Sequence, residues 1–473
     1  MTEGIDKQHL FDSLPPPWPE PLLPRIRARL QAARECLVFL DDDPTGGQTL
    51  HGLPVLTAWD EGTLGNEVRQ SDAFFVVTNS RALREAEAVA LAADAGARLR
   101  KIEETAGRRL HLGYRGDSTL RGHFPAETSA LGRAVYGRRL PPLVFAPYFA
   151  EGGRFTVQDT QYVEQGPRLI PAAETEFARD PRFAYSQSNL KAWIEERTGG
   201  RVQAGDVVSV TIDDVRRAGP QAVATKLQDV PDGGVVIVNA ACDRDLEVFV
   251  AGLLDAEAAG RRFLYRTAAS FVRVRAGIEP RALLGASELR GGGTPGLVIA
   301  GSYVERTTQQ LERLLTLDGV SAVEVEVERL VAGEAVGQTR SVATAVDAAL
   351  AAGRDVVVYT SRGLLTPPDH DPVAVGDSIT RALCDVMGRL EQRPGFLLVK
   401  GGSTAYGIAT RGLEMKRGVV LGQLLPGVPV WRLGPESRYP ELPLVIFPGN
   451  VGGPEALADA VRRLRGCEDA GSR

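Results

Sequence analysis

Short apolar runs, each long enough for one buried strand, recur along this chain with helical stretches between them, and that alternation limits the fold more than any other feature. In the first half, residues 36–40, 54–59, 73–78, 110–114, 143–146, 207–211 and 235–239 read as strands, with helices expected at 25–34 and 81–106. Most of these runs are apolar throughout rather than alternating. That is the mark of parallel strands buried on both faces by helices. A second series has strands at 297–300, 323–327, 356–360, 396–400, 430–433 and 444–447. Helices are expected between them at 307–317, 342–352 and 378–390, after Gly402, and over 453–465. A chain of 473 residues is too long for one ordinary core. The expected fold is α/β with two domains, each a mainly parallel sheet covered by helices, and the active site in the cleft between the domains.

The strongest linker signal is Gly291-Gly-Gly293 followed by Thr294-Pro295, which sets a linker at 283–295 between domains at 25–282 and 296–473. Residues 1–24 carry Leu14-Pro-Pro-Pro-Trp-Pro-Glu20, too rich in proline for a helix interior. They are expected to form an extended arm on the surface or on a partner subunit, which would suit a homodimer.

Composition excludes several classes. A net charge of −5 offers no basic stripe for nucleic acid. The four cysteines are dispersed without a CxxC pair, as in free thiols of a reducing compartment. No apolar stretch approaches the ~20 residues that span a bilayer, and the first residues lack the pattern of a secretory signal, so the expected location is the cytoplasm. The five histidines show no metal-ligand spacing, and no protein-held metal is expected. Walker-type, GxGxxG and Gly-x-Ser-x-Gly runs are absent, which leaves a transferase better supported than a hydrolase.

Polar residues gather where the apolar runs stop, and open α/β sheets bind ligands at such strand ends. Asp41-Asp-Asp43-Pro-Thr-Gly-Gly47 follows the first run, and Thr78-Asn-Ser-Arg81 another. Gly113-Tyr-Arg-Gly-Asp-Ser-Thr-Leu-Arg-Gly122 crowds Arg115, Asp117, Ser118, Thr119 and Arg121 into one segment, and Arg154 lies on a glycine-rich turn after a further run. Taken singly, these are a solvated acidic turn, a helix cap and exposed loops. Together they suit a small polyhydroxylated anion, because guanidinium grips a carboxylate bidentately while Asp, Ser and Thr order hydroxyls. In the second half Gly301-Ser302, Gly401-Gly-Ser-Thr404 and Pro448-Gly-Asn-Val-Gly-Gly453 are turns that could present backbone N–H groups to phosphates.

At these residues the chain resembles the four-carbon acid sugar kinases, which act on D-erythronate, D-threonate and 3-oxo-tetronates. Asp117-Ser-Thr-Leu-Arg-Gly122 matches the family motif letter for letter, with Arg115 where a lysine is usual. Asp42-Asp-Pro-Thr-Gly-Gly47 is similar to the family's Asp-Asp-Phe-Thr-Gly-Ala, and Ala146-Pro through Arg154, Asp180-Pro181 and Ser188 resemble the segment that follows. The resemblance implies an N-terminal domain for the sugar acid and a C-terminal domain for ATP, with Mg2+ arriving on the nucleotide. It implies catalytic roles for Asp43, Asp117 and Arg121 and substrate contacts from Asp42, Thr45, Ser80, Arg81, Arg115, Ser118, Thr119 and Arg154. The nucleotide elements it implies are Ser302, Gly401, Gly402, Ser403, Thr404, Gly449, Asn450 and Gly452. Ser403 stands where the family has an aspartate, and Phe447 where it commonly has a lysine. The expected activity is ATP-dependent phosphorylation of a terminal hydroxyl of a small sugar acid. The alternative is a sugar-acid sensor descended from such a kinase, its nucleotide site eroded.

Overall fold

A computed structural model describes residues 4–289, 295–301, 305–361, 372–449 and 451–467, without the side chains of residues 372–374. It divides into two compact units, one comprising Met1–Thr49 and Ala58–Pro280, the other Leu50–Thr57 and Arg281–Arg473.

In the first unit, parallel strands run in the spatial order Val208–Val210, Val235–Val238, Leu143–Ala146, Leu264–Thr267, Arg109–Arg115, Glu35–Asp41 and Ala73–Val77. The inner strands are buried almost without interruption, as the continuous apolar runs require. Register aligns their carboxyl ends. Val77, Asp41, Arg115, Thr267 and Ala146 form one row across the sheet, so the residues that follow them emerge side by side.

The long covering helix Glu85–Ala106 shows how its sequence builds it. Ala88, Ala92, Ala95, Leu99 and Ile102 recur three or four apart and make a buried stripe. Glu87 closes the first turn by accepting the Arg84 backbone N–H at 3.0 Å, and Gly107 ends the helix at a φ of 63°. Gly96 lets the neighbouring helix Ala126–Tyr136 approach closely, since a Cβ there would lie 2.9 Å from Ala134 Cβ. The helix starts at Glu85 rather than at residue 81; Ser80–Ala82 is a separate 3-10 turn, entered through Asn79 in the left-handed region at a φ of 50°.

The proline-rich arm folds back onto its own unit. Ile5–Asp6 pairs with Arg168–Leu169 at the edge of a small antiparallel sheet, Lys7–Asp12 is helical, and Arg216 Nη1 donates to Pro15 O at 2.6 Å. Trp18 packs against Gly219, where a Cβ would come within 2.5 Å of the indole. These contacts lie within the unit; residues 14–22 form no helix or strand, and the helix Lys7–Asp12 departs from the extended arm expected from composition.

In the second unit, Pro443–Phe447, Leu397–Lys400, Leu297–Ala300, Asp355–Thr360 and Val320–Val325 are parallel in that order. An antiparallel extension adds Val428–Leu433, Arg417–Leu425 and Pro54–Leu56. Pro54–Leu56 therefore departs from the expected 25–282 domain: the chain sends it to pair with Arg417–Val419 in the second unit. The expected linker also differs. Leu284 and Leu289 are buried in the second unit's core with Phe396, Leu424 and Val428, and residues 290–294 lie outside the described residues. Among the described residues no helix is long and apolar enough to cross a membrane.

Candidate active site

The row of strand ends in the first unit carries an interlocked set of carboxylates and guanidiniums. Asp41 ends its strand and is held by the Arg115 guanidinium, which also donates to Asp43 O at 2.5 Å. Asp41 and Arg115 are 1% and 5% exposed. Burial pushes the Asp41 carboxyl up to about 7 against the pull of Arg115, with Asp42 adding to the rise. Gly46 is required here because a Cβ would fall 1.8 Å from Asp41 Oδ2 and 2.3 Å from Arg115 Nε. Arg115, expected among the substrate contacts, is thus engaged in holding the acidic turn.

Asp42 is buried and neither carboxylate oxygen accepts a hydrogen bond from the described residues. Three guanidiniums surround it at ion-pair range: Arg81 at 3.7 Å, Arg115 at 3.8 Å and Arg266 at 3.8 Å. Asp43 is more open. Its Oδ1 accepts from Thr45 N at 2.8 Å and Thr45 Oγ1 at 2.6 Å, and its Oδ2 pairs with Arg81. Burial would raise this carboxyl, but Arg81, Arg115 and the Thr45 bonds outweigh it and hold it below the usual range.

Asp117 leaves the neighbouring strand end. Its Oδ2 accepts from Thr119 Oγ1 and, at 2.7 Å, from Arg121 Nε, while Oδ1 has, among the described residues, only the Arg81 guanidinium at 3.5 Å. Burial works to raise Asp117, yet Arg121 and Arg81 prevail and hold it well below the usual carboxylate range. The loop around it is fixed from behind. Gln161 Nε2 donates to Ser118 O at 2.8 Å, Tyr185 Oη to Thr119 O at 2.8 Å, and Leu120 anchors in the core beside Phe124. Leu120 does so at a φ of 69°, a left-handed conformation that costs roughly 1 kcal/mol, held by this packing.

Arg121 and Arg154 flank the Phe177 ring, their Cζ atoms 5.1 Å and 5.5 Å from its centre. Arg121 is neutralised by Asp117 and, at 3.5 Å, by Asp180. Arg154 differs: its buried Nε has no hydrogen-bond partner among the described residues, and burial pushes the guanidinium below its usual range, only partly offset by Asp117.

The structure therefore brings Asp42, Asp43, Thr45, Arg81, Arg115, Asp117, Thr119 and Arg121 into one network. Ser80 is fully buried, Ser118 contributes its carbonyl to loop support, and Ser188 accepts from Ala173 N at 2.9 Å as a structural bond. Sequence reading missed Arg266, the penultimate residue of the central strand Leu264–Thr267, which donates to Arg121 O at 3.1 Å and lies 3.8 Å from Asp42. It also missed Glu127, buried behind Asp42 and raised to about 7 by burial and by Asp42. The signal for Arg266 was Phe263-Leu-Tyr265, a short apolar run stopping in Arg-Thr. Gly116 belongs with it, because a Cβ there would coincide with the Arg266 guanidinium, 1.1 Å from Nη1.

In the second unit the row is Phe447, Lys400, Ala300 and Tyr359. Gly301, Gly401 and Pro448 follow it. Gly401 has a φ of 107°, and Gly402, Ser403 and Thr404 open a helix of only six residues, Gly402–Gly407. Gly449 and Gly452 lie in the last turn, Gly452 at a φ of 79°. Ser302 and Asn450 lie outside the described residues. Among the described residues no group of three His, Cys, Asp or Glu side chains could hold a metal ion.

Comparison with known proteins follows the same division. The sugar-binding N-terminal domain matches residues 37–275 and the nucleotide-binding C-terminal domain residues 297–457. The chain belongs to the four-carbon acid sugar kinase family. It is 26% identical over 357 residues to the D-threonate kinase of Salmonella typhimurium, covering 73% of this chain and 78% of that one. It is likewise 26% identical over 421 residues to the 3-oxo-tetronate kinase of Cupriavidus necator, covering 85% and 88%. Solved structures share the fold: a Salmonella typhimurium LT2 protein at TM-score 0.65 and a Haemophilus influenzae protein at 0.59, each 18% identical. The match covers 90% of this chain in both, with 98% of the former and 100% of the latter. The family membership carries the sugar-acid kinase class.

Proposed function

We propose that this kinase family member transfers the terminal phosphoryl group of ATP to a hydroxyl of a small, four-carbon-like sugar acid, in the cytoplasm. The observation that carries the reading is the division of labour between Asp117 and Arg154. One is a carboxylate with an oxygen that accepts no hydrogen bond from the described residues; the other is a guanidinium whose buried Nε has no hydrogen-bond partner among them.

Arg154 grips the substrate carboxylate, for which a bidentate guanidinium is the natural host. Asp117 Oδ1 receives the hydrogen bond of the attacking hydroxyl and takes its proton as the new P–O bond forms and the bond to the leaving ADP breaks. A carboxylate held this far down is a weak base. Phosphoryl transfer tolerates that, because its transition state is loose and catalysis rests on alignment and charge. Arg121 and Arg81 are the cations beside it and neutralise charge on the migrating group. Asp43, fixed by Thr45 and Arg81, orders a neighbouring hydroxyl. Asp41, Asp42, Arg115 and Arg266 hold these groups in place without contacting substrate.

Mg2+ would reach this site on the nucleotide phosphates, since no group of acidic side chains among the described residues could hold it. When bound it supplies charge neutralisation. A coupled ADP-release assay across four- to six-carbon sugar acids tests the reading. Turnover with at least one four-carbon acid supports it; sugar-acid binding with no ADP release from any of them overturns it in favour of a sensor.

A further inference from the structure

Lys400 ends the strand Leu397–Lys400, in register with Ala300 on one side and Phe447 on the other. It stands at the root of the glycine turns and is 0% exposed. Its Nζ donates to Pro448 O at 2.8 Å and Gly449 O at 3.3 Å, and lies 4.2 Å from the centre of the Phe447 ring.

No carboxylate among the described residues pairs with this ammonium, and the Arg306 guanidinium adds a repulsion. Carbonyls and an aromatic face only partly replace the water lost on burial. The amine is accordingly pushed down to about 7, by burial first and by Arg306 second. A lysine kept in such a place for packing alone would be better replaced by methionine. The geometry gives it two other effects. A trans peptide carries its C=O and N–H on opposite sides, so a Pro448 carbonyl turned to Nζ directs the Gly449 N–H away from it. The charge itself, unpaired among the described residues, also suits an anion bound at the strand ends where such ligands bind.

We propose that Lys400 is a positioning residue for the donor's phosphate groups, anchoring the Pro448–Gly449 turn and supplying the positive charge that those phosphates neutralise. This rests on the kinase reading and says where in the nucleotide-binding domain the phosphates are held.

The test is calorimetric titration of the full chain with ADP and magnesium near pH 7, in two buffers of different ionisation enthalpy. Lys400→Met keeps the apolar stem against Phe447. Lys400→Gln keeps a donor for the carbonyls without the charge. The parent is expected to take up more protons on binding than either variant, and both variants to bind ADP at least about tenfold more weakly with sugar-acid affinity unchanged. Parent-like ADP affinity and proton uptake in both variants would overturn the proposal. Parent-like affinity in Lys400→Gln alone would overturn the role of the charge. A parent that binds no ADP would overturn the kinase reading, and the proposal with it.

Discussion

Arg81 Nη1 lies 3.5 Å from Asp117 Oδ1, joining turns that follow two strands separated in the sheet by a third. The same guanidinium pairs with Asp43 and stands 3.7 Å from Asp42, so one cation offsets three carboxylates. Removing it leaves buried negative charge uncompensated. Arg81→Met is expected to lower unfolding free energy by about 3 to 5 kcal/mol and to cut kcat/KM more than a hundredfold. Denaturant titration and the ADP-release assay measure the two effects; a variant with parental stability would show that Arg81 is not the hub.

Gly116 makes room for Arg266, and the added methyl of Gly116→Ala must displace that guanidinium from Asp42. A loss of about 2 to 3 kcal/mol is expected, toward the upper end for single substitutions. The denaturation midpoint should fall and turnover should drop at least about tenfold. An unchanged midpoint would mean Arg266 has a second resting place of equal energy.

Among the described residues Arg154 forms no ion pair with a carboxylate, so Arg154→Gln should leave the thermal midpoint nearly unmoved. Its effect should appear in KM for the sugar acid, raised by roughly tenfold to a hundredfold, the range for a charged hydrogen-bond partner worth about 1.5 to 3 kcal/mol. Discrimination between the acid and its neutral amide should shrink by a similar factor. A purely structural arginine would shift the midpoint and leave that discrimination intact.

A second ionic cluster sets a pH dependence of stability. His111 lies 3.0 Å from Glu35 Oε2 and 3.1 Å from Glu257 Oε1, and Arg275 donates to Glu257 at 2.8 Å. Burial alone would push the imidazolium down, but Glu257 and Glu35 outweigh it and hold His111 above its ordinary 6.5. Burial would likewise raise Glu257, yet Arg275 and His111 hold it at about 2 against an ordinary 4.5. A raised histidine stabilises fully below its unfolded value and less as pH climbs through the folded one. A depressed glutamate stabilises above its unfolded value and less as pH falls toward the folded one. The advantage of the parent over His111→Gln should therefore be greatest between about 4.5 and 6.5 and fade on both sides, as read from denaturant titrations at several pH values. A difference that grew above neutrality would refute this pairing.

The parallel sheets were legible because buried strands between helices leave continuous apolar runs, and Asp43, Arg81, Asp117 and Arg121 were legible because each follows such a run. Arg266 was not, since its strand of four residues, Leu264–Thr267, follows a helix and two arginines with little to mark it. Arg417–Leu425 was missed because Gly418 and Gly422 interrupt its apolar alternation, although Gly418 is there to let Arg432 O and Met415 approach. The transfer of Pro54–Leu56 to the second unit is a pairing with residues far along the chain, which no local pattern encodes. Lys400 read as the polar end of a strand; its burial depends on the Pro448–Gly449 carbonyls, supplied by the turn after another strand.

Phosphorus NMR of the reaction products tests the central claim most directly. With ATP, magnesium and a four-carbon sugar acid, the parent protein is expected to yield ADP and a phosphomonoester of that acid in equal amounts, and Asp117→Asn to yield neither at a comparable rate while still binding ATP. ADP accompanied only by inorganic phosphate, or a phosphomonoester formed as fast by Asp117→Asn, would contradict the account.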